Sequence, residues 1–166
     1  MTPILRTQAL LTAYYDGSCG LCSAEMAELQ ALDVHGEIQL VDCATPGFDD
    51  AAMRQAGITR EQLMGRLHVR DVLGDWHRGV DAIALLYATV GAPLLARAWA
   101  HPWTRPFTRR LYPWVVRHRH ALSRLGLHLV APRVLRLFAQ RHQQRLVPHC
   151  VHGSCRIDGA APRQPL

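Results

Sequence analysis

Lysine is absent from this chain of 166 residues, so all 19 of its basic side chains are arginines. Acidic residues are almost absent from the second half, where Asp158 stands alone among residues 97–166 against 13 arginines. Residues 1–96 instead contain 12 acidic residues and six arginines. This asymmetry predicts two oppositely charged surfaces, or a basic arm that docks on a negatively charged partner.

A long hydrophobic run is also missing. The longest apolar stretch, residues 82–96, is shorter than a membrane span and contains Pro93, so it predicts a buried helix. The sequence shows no secretory signal, and its cysteine count, five, is odd; both features argue against a secreted disulfide framework and predict a cytoplasmic location. The apolar fraction of 49% is ample for one packed domain.

Two cysteines, Cys19 and Cys22, form a Cys-x-x-Cys motif between an apolar run and a helix-forming stretch. Residues 10–15 are apolar and aromatic, and residues 24–32 are rich in alanine, leucine and acids. This order predicts a strand, a tight turn and a helix that begins at the motif. A helix N-terminus stabilises a thiolate over a thiol. A Cys-x-x-Cys beside a βαβ pattern is typical of thioredoxin-like redox proteins.

The rest of the first half continues that pattern and predicts an α/β fold, a thioredoxin-like mixed sheet with helices on both faces. The predicted core spans residues 8–91. Its expected elements are a strand at 10–15, a helix at 19–34, a parallel strand at 38–42, a short helix at 49–56, a capping box from Thr59 to Gln62, a hairpin of 67–70 with 75–78, and a helix at 82–90 capped by Asp81.

The second half predicts a helical, arginine-rich basic extension, residues 92–147, packed on the core. We expect its prolines to break it into short helices, with an amphipathic basic helix at 134–146. Residues 148–166 are poor in core-forming residues and predict a tail without fixed structure. The prolines concerned are Pro93, Pro102, Pro106, Pro113 and Pro132.

From residue 14 to about residue 124 the chain resembles the thiol-disulfide oxidoreductase-like DCC family, named for an Asp, Cys, Cys motif. The resemblance implies a thioredoxin-like fold and a redox role. Thioredoxins have a cis-proline before the third strand that contacts substrate, but residues 62–66 contain no proline, so substrate docking must differ or be absent. The matching residues are Tyr15-Asp16-Gly17-x-Cys19-x-Leu21-Cys22, Val41-Asp42, Pro46-Gly47-Phe48, Leu67-His68-Val69-Arg70-Asp71, Gly79-Val80-Asp81-Ala82, and Tyr112 with Arg117 and Arg119.

For the motif itself we predict that Cys19 is the more exposed sulfur and attacks a substrate disulfide, and that Cys22 resolves the mixed disulfide. Asp16 either moves protons during exchange or shapes the turn by accepting hydrogen bonds from Gly17 and Ser18. The pair could instead be half of a zinc site, although no two further ligands lie at a convincing spacing. The redox reaction needs no bound cofactor, because a thiol donor such as glutathione or a thioredoxin system supplies the electrons.

The remaining cysteines and several histidines can be interpreted without a catalytic role. Cys43 is predicted to be a small buried hydrophobic residue. His68 and His77 lie on opposite strands of the hairpin and predict a polar cross-strand pair on an exposed face. Four side chains in the C-terminal tail could bind zinc or copper, could include a cysteine pair that closes a disulfide, or could lie in a disordered segment. They are His149, Cys150, His152 and Cys155.

Three hypotheses for function follow. The first is a thiol-disulfide oxidoreductase acting on a protein or small-molecule disulfide or thiol. The second is a non-enzymatic scaffold whose basic half binds peripherally to an anionic membrane surface, or binds an acidic partner. The simpler alternative for the basic half is that its helices pack on the core and its arginines balance the negative charge of the acidic half. The third is a metal chaperone or sensor using the tail ligands. Nucleic acid ranks last as a partner because no recognition motif is present.

Overall fold

A computed structural model of the chain describes the backbone of residues 10–146, 149–151 and 154–156, and side chains as far as residue 139. Its main sheet has four strands in the order β2-β1-β3-β4. β1 is parallel to β2, and the other neighbours are antiparallel, so the sheet is mixed as predicted. The strands are β1 (Leu11–Tyr15), β2 (Ile38–Asp42), β3 (His68–Asp71) and β4 (Trp76–Arg78).

Helices cover both faces of this sheet. Successive side chains of β1 point to opposite faces, and Ala13 belongs to one buried cluster while Tyr14 belongs to another. The first cluster includes residues of α1 and α4, and the second those of α2 and α3. The predicted thioredoxin-like architecture is therefore confirmed. These helices are α1 (Gly20–Leu32), α2 (Ala51–Gln55), α3 (Arg60–Gly65) and α4 (Val80–Thr89).

Two predicted helix starts have different outcomes. α3 begins at the predicted capping box, where Thr59 Oγ1 accepts from the Gln62 N–H and Gln62 Oε1 accepts from the Thr59 N–H. The prediction that Asp81 caps α4 is wrong, because Asp81 lies in the first turn of the helix and the N-cap is Gly79. Gly79 has a φ of 58°, which lets the chain turn directly from β4 into α4.

The extension forms α5 (Pro93–Ala100), α6 (Arg105–Arg124) and α7 (Leu127–Leu146). Pro93 and Pro106 lie in first turns, where proline costs no hydrogen bond. The expectation that Pro113 and Pro132 also end helices is wrong, since α6 and α7 continue through them. Packing on both sides of each proline outweighs the backbone hydrogen bond that it removes.

The extension packs on the first half rather than standing apart from it. α7 lies against α1, α5 lies against α4, and α6 contacts both α1 and α4. Leu135 and Ala139 of α7 are buried in the same cluster as Leu29 of α1. No helix within the described residues is long and apolar enough to cross a membrane.

A second, two-stranded sheet pairs β5 (His149–Val151) with β6 (Ser154–Arg156) in antiparallel fashion, with Cys150 opposite Cys155 in register. The strands are two residues apart, the spacing of a tight hairpin. For these six residues the structure differs from the predicted unstructured tail. Residues 148, 152, 153 and 157–166 of that tail lie outside the described residues.

Candidate functional site

The Cys-x-x-Cys motif lies where β1 passes into α1. Cys19 is the N-cap of α1: its carbonyl accepts from the Ser23 N–H at 2.9 Å, and its own N–H donates to the carbonyl of Asp16 at 3.2 Å. The Ser23 hydroxyl donates back to the carbonyl of Gly17 at 2.9 Å, which holds the turn against the helix. The predicted position of Cys19 at the helix N-terminus, where thiolates are stabilised, is confirmed.

Two aspartates build the turn before the motif. Asp16 Oδ1 accepts from the Ser18 N–H at 3.0 Å and from the Ser18 hydroxyl at 2.6 Å, so the predicted turn role of Asp16 is present. The Gly17 N–H, expected to bond to Asp16, instead donates to Asp42 Oδ1 at 2.9 Å. Asp42 at the end of β2 also accepts from the Ala44 N–H at 2.7 Å, and so ties two adjacent loops together.

The exposure of the two cysteines is the reverse of our expectation. Cys19 is 0% exposed, whereas Cys22 is half-buried. The prediction that Cys19 is the more exposed sulfur is therefore wrong. The last turn of α6 lies over the start of α1, so closely that a Cβ atom on Gly20 would be 2.6 Å from Ser123 Oγ. Sequence reasoning treated α6 only as part of an extension and could not foresee this cover.

Cys22 differs from its partner in electrostatics as well. Burial raises the pKa of the Cys22 thiol well above its ordinary value, and a side-chain hydrogen bond with Cys19 raises this pKa further. Arg119 acts in the opposite direction but more weakly. At neutral pH Cys22 therefore keeps its proton.

Arg119 of α6 links the extension to the motif. Its guanidinium donates to Asp16 Oδ2 at 2.5 Å and to the carbonyl of Met64 at 2.7 Å. The side chains of Arg119 and Asp16 are 14% and 2% exposed, so this ion pair is buried. The resemblance drew attention to Arg119, but no sequence spacing could pair residues 103 positions apart.

A cavity of about 260 Å³ lies beside Cys22, between α1, α4, α6 and α7. Its wall is mostly apolar, and Cys22 lines it whereas Cys19 does not. Glu25, one turn after Cys22, also lines it and accepts a hydrogen bond from the Tyr87 hydroxyl. Burial raises the pKa of Glu25. The apolar residues of the wall are Leu21, Met26, Leu63, Leu67, Ile83, Trp99, Leu111, Val115, Val116, Leu127 and Ala131.

The two hairpin histidines do not face each other. His68 is the cross-strand partner of Arg78, and His77 is the partner of Val69. His68 is buried with Nδ1 2.9 Å from the carbonyl of Arg66, whereas His77 Nε2 lies 2.9 Å from Asp71 Oδ2. The predicted exposed pair is wrong, because the one-residue offset in register sends the two rings to opposite faces of the sheet.

Cys43 follows β2 and is fully buried, as predicted. Burial, reinforced by the neighbouring Asp42, raises the pKa of the Cys43 thiol to about 11. Because thiol reactivity follows the thiolate fraction, Cys43 is inert at neutral pH. It is therefore a structural residue that can be replaced in experiments on the Cys19–Cys22 pair.

The described residues hold no group of three or more histidine, cysteine or acidic side chains arranged to bind a metal ion. The side chains of His149, Cys150, His152 and Cys155, considered as metal ligands or a tail disulfide, lie outside the described residues. That interpretation stays a prediction.

The family profile described as DCC1-like thiol-disulfide oxidoreductase matches residues 13–125, which include the motif, Tyr112 and Arg119. The chain belongs to this family. It is also similar to an uncharacterised chloroplast protein of Arabidopsis thaliana, with 32% identity over 78 residues. That match covers 46% of this chain and 36% of the plant protein, so the chain spans about a third of its curated relative. No solved structure matches the chain.

The DCC1-like match ends one residue after α6. The family region therefore contains the motif, its two aspartates and the helix that covers them. It excludes α7, which packs on α1 and supplies two residues of the cavity wall, Leu127 and Ala131. The cavity of this chain is thus completed by a helix outside the family region.

Proposed function

We propose that Cys19 and Cys22 form a redox-active dithiol that exchanges electrons with an external thiol or disulfide. The observation that carries this proposal is the placement of Cys19 as the N-cap of α1, with Cys22 in the first turn of the same helix. Two thiols in this arrangement close a disulfide with little backbone movement, and the helix N-terminus favours charge on the first sulfur. The DCC1-like family match supports the same chemistry.

The roles within the pair follow from their surroundings. Cys19 is the sulfur at the helix N-terminus, where negative charge is favoured, and Cys22 keeps its proton. Cys19 attacks the Cys22 sulfur of a mixed disulfide, or the sulfur of an external disulfide that reaches it. Asp16 is a positioning residue, because its two oxygens fix the turn and the Arg119 guanidinium above it.

The reaction needs no bound cofactor, since both electrons reside in the pair. Closing the Cys19–Cys22 disulfide releases two electrons to the substrate disulfide, which becomes two thiols. A thiol donor then reopens the pair. We place this cycle in the cytoplasm, where such donors keep thiols reduced.

The test uses a background in which Cys43, Cys150 and Cys155 are replaced by serine, so that only the pair remains. We expect this protein to reduce 2-hydroxyethyl disulfide, and the added substitution Cys19→Ser or Cys22→Ser to abolish turnover. Restoring Cys43 alone is the control and leaves the rate unchanged, because that thiol is buried and protonated. If Cys19→Ser and Cys22→Ser both react like the background protein, the proposed function is wrong.

A further inference from the structure

The cavity beside Cys22 indicates which substrates reach the pair; this inference rests on the proposed redox function and deepens it. We propose that the cavity binds an uncharged apolar thiol or its disulfide, and that exchange passes through a mixed disulfide on Cys22. The sequence predicted the opposite sulfur, Cys19, as the one that meets substrate.

Access favours Cys22. Its side chain lines the cavity, whereas Cys19 is 0% exposed and does not line it. A thiol inside the cavity therefore meets the Cys22 sulfur first. Attack on Cys19 would require the residues that bury it to move.

Wall chemistry excludes charged ligands from the interior. The Glu25 carboxyl is bonded to Tyr87, the Tyr112 hydroxyl accepts from the Leu67 N–H at 3.0 Å, and Arg119 is held by Asp16 and Met64. The other charged residues of the wall are Asp16, whose oxygens accept from Ser18 and Arg119, and Arg66, which is exposed to solvent. A carboxylate or ammonium group on the ligand would be desolvated without a partner, which is costly.

The size of the cavity suits a small molecule. A dry cavity of about 150 Å³ accommodates benzene, so 260 Å³ leaves room for a ring or a branched alkyl group and a short thiol arm. A protein substrate has no comparable platform here. The backbone N–H of Leu67, just before β3, is already bonded to Tyr112 of α6.

The exchange can be written with its electrons in balance. A substrate thiol loses its proton to solvent, and its sulfur attacks Cys22; the Cys19–Cys22 bond breaks and its electron pair leaves on Cys19. A second substrate thiol attacks the substrate sulfur of the mixed disulfide, and Cys22 departs with that thiol's proton. Two thiols become one disulfide, and the pair becomes a thiol and a thiolate.

Leaving-group chemistry favours this order. The sulfur that departs first is Cys19, which lies at the N-terminus of α1 where a thiolate is stabilised, and a more stable thiolate leaves faster. The reverse sequence reduces an apolar disulfide through the same mixed disulfide. In the forward direction a separate low-molecular-weight disulfide restores the oxidised pair, and in the reverse direction a thiol donor reopens it.

The experiment compares two matched probes, phenylmethanethiol and 4-(mercaptomethyl)benzoate, which differ only in a carboxylate. The oxidised protein carries serine at positions 43, 150 and 155, and each rate is divided by that probe's rate with a small model disulfide. We expect the neutral probe to react faster by about tenfold or more. Trapping with acid and peptide mass analysis should place it on Cys22.

Variants of the cavity wall sharpen the test. Ala131→Phe fills the cavity and should remove the preference for the neutral probe, whereas Ala121→Phe on the exposed side of α6 should keep it. Should Ala131→Phe fail to fold, Leu127→Arg takes its place. Leu127 is already partly exposed, and an arginine there should shift the preference toward the carboxylate probe.

Each outcome bears on the proposal. A mixed disulfide on Cys19, or equal normalised rates for both probes, overturns it while leaving the redox function intact, provided that the pair still opens and closes with dithiothreitol. A pair that does not close at all overturns both. Loss of the preference in Ala131→Phe, but not in Ala121→Phe, assigns the selectivity to the cavity.

Discussion

The acidic first half and the basic extension differ in how their charges are used. Buried acids of the first half are paired with arginines of the extension, as in Asp16–Arg119 and Glu28–Arg136, where the carboxylate side chains are 2% and 8% exposed. The pair within the first half between Arg54 and Asp50 is a local one on α2, with the arginine largely exposed. Part of the charge asymmetry of the sequence is therefore used in ion pairs that join the extension to the core.

Glu25 gives the contrasting case among the acids of α1. It accepts from a phenol rather than from an arginine, and burial raises its pKa. Glu28, three residues later on the same helix, receives two hydrogen bonds of 2.7 Å from Arg136. On one helix, therefore, one carboxyl has a raised pKa and a phenol partner, and the other pairs with an arginine.

The largest expected effect comes from Arg119→Ala. It leaves the carboxylate of Asp16 buried without its charge partner, which costs about 3–5 kcal/mol of unfolding free energy. Urea unfolding measures the loss, and Arg117→Ala on the exposed side of the same helix serves as control, with a change within about 0.5 kcal/mol. A loss below about 1 kcal/mol for Arg119→Ala would mean that the extension is not anchored through this pair.

Next in size is Gly79→Ala, which tests another contact between the halves. A Cβ atom would lie 3.0 Å from Tyr112 Cε1, and the φ of 58° strains any side chain, so we expect a loss of about 1–3 kcal/mol. Thermal unfolding provides the measurement. Gly65→Ala, which meets nothing within 4 Å, should change stability by less than about 1 kcal/mol. Equal effects at the two sites would argue against close packing of α6 on Gly79.

A smaller effect is expected for Arg136→Ala, because that guanidinium is 54% exposed and water can take its place beside Glu28. The urea midpoint should fall by less than in Arg119→Ala, and the difference from wild type should shrink in high salt. Arg133→Ala, exposed on the same helix, should leave the midpoint unchanged. A loss as large as that of Arg119→Ala would contradict the distinction between a buried and a half-exposed pair.

The smallest effect is a change in pH dependence on replacing Glu25 by Gln. The folded protein keeps the Glu25 proton at pH values where the unfolded chain has lost it, so this residue makes stability fall as pH rises above about 4.5. In Glu25→Gln that contribution disappears, and the variant should gain on wild type as pH increases. The exposed Glu61→Gln is the control and should follow wild type. Parallel stability curves for Glu25→Gln and wild type would show that Glu25 ionises normally.

The fold was largely predictable because its signals are local. The strand at 38–42 and the capping box at Thr59 rest on periodicity and side-chain chemistry within a few residues. The helices through Pro113 and Pro132 were missed because tertiary packing decides them. The predicted Asp81 cap was wrong because Gly79, in a backbone conformation that propensity alone does not indicate, starts α4 earlier.

The candidate site was predictable only at its centre. The motif, the turn role of Asp16 and the buried state of Cys43 follow from neighbouring residues. The Arg119–Asp16 pair and the cavity beside Cys22 both depend on α6 and α7 folding back over α1. Contacts between residues about 100 positions apart leave no spacing pattern in a single sequence.

The central claim, that Cys19 and Cys22 are a redox-active pair, is tested most directly by their reduction potential. The protein with serine at positions 43, 150 and 155 is equilibrated with mixtures of reduced and oxidised glutathione, and with mixtures of reduced and oxidised dithiothreitol for the most negative potentials. The samples are quenched by alkylation, and the oxidised fraction is read by intact mass. We expect reversible closure at a potential between about −270 and −120 mV, the range of dithiol oxidoreductases. A pair that never closes, or one that stays closed below about −300 mV like a structural disulfide, would contradict the account.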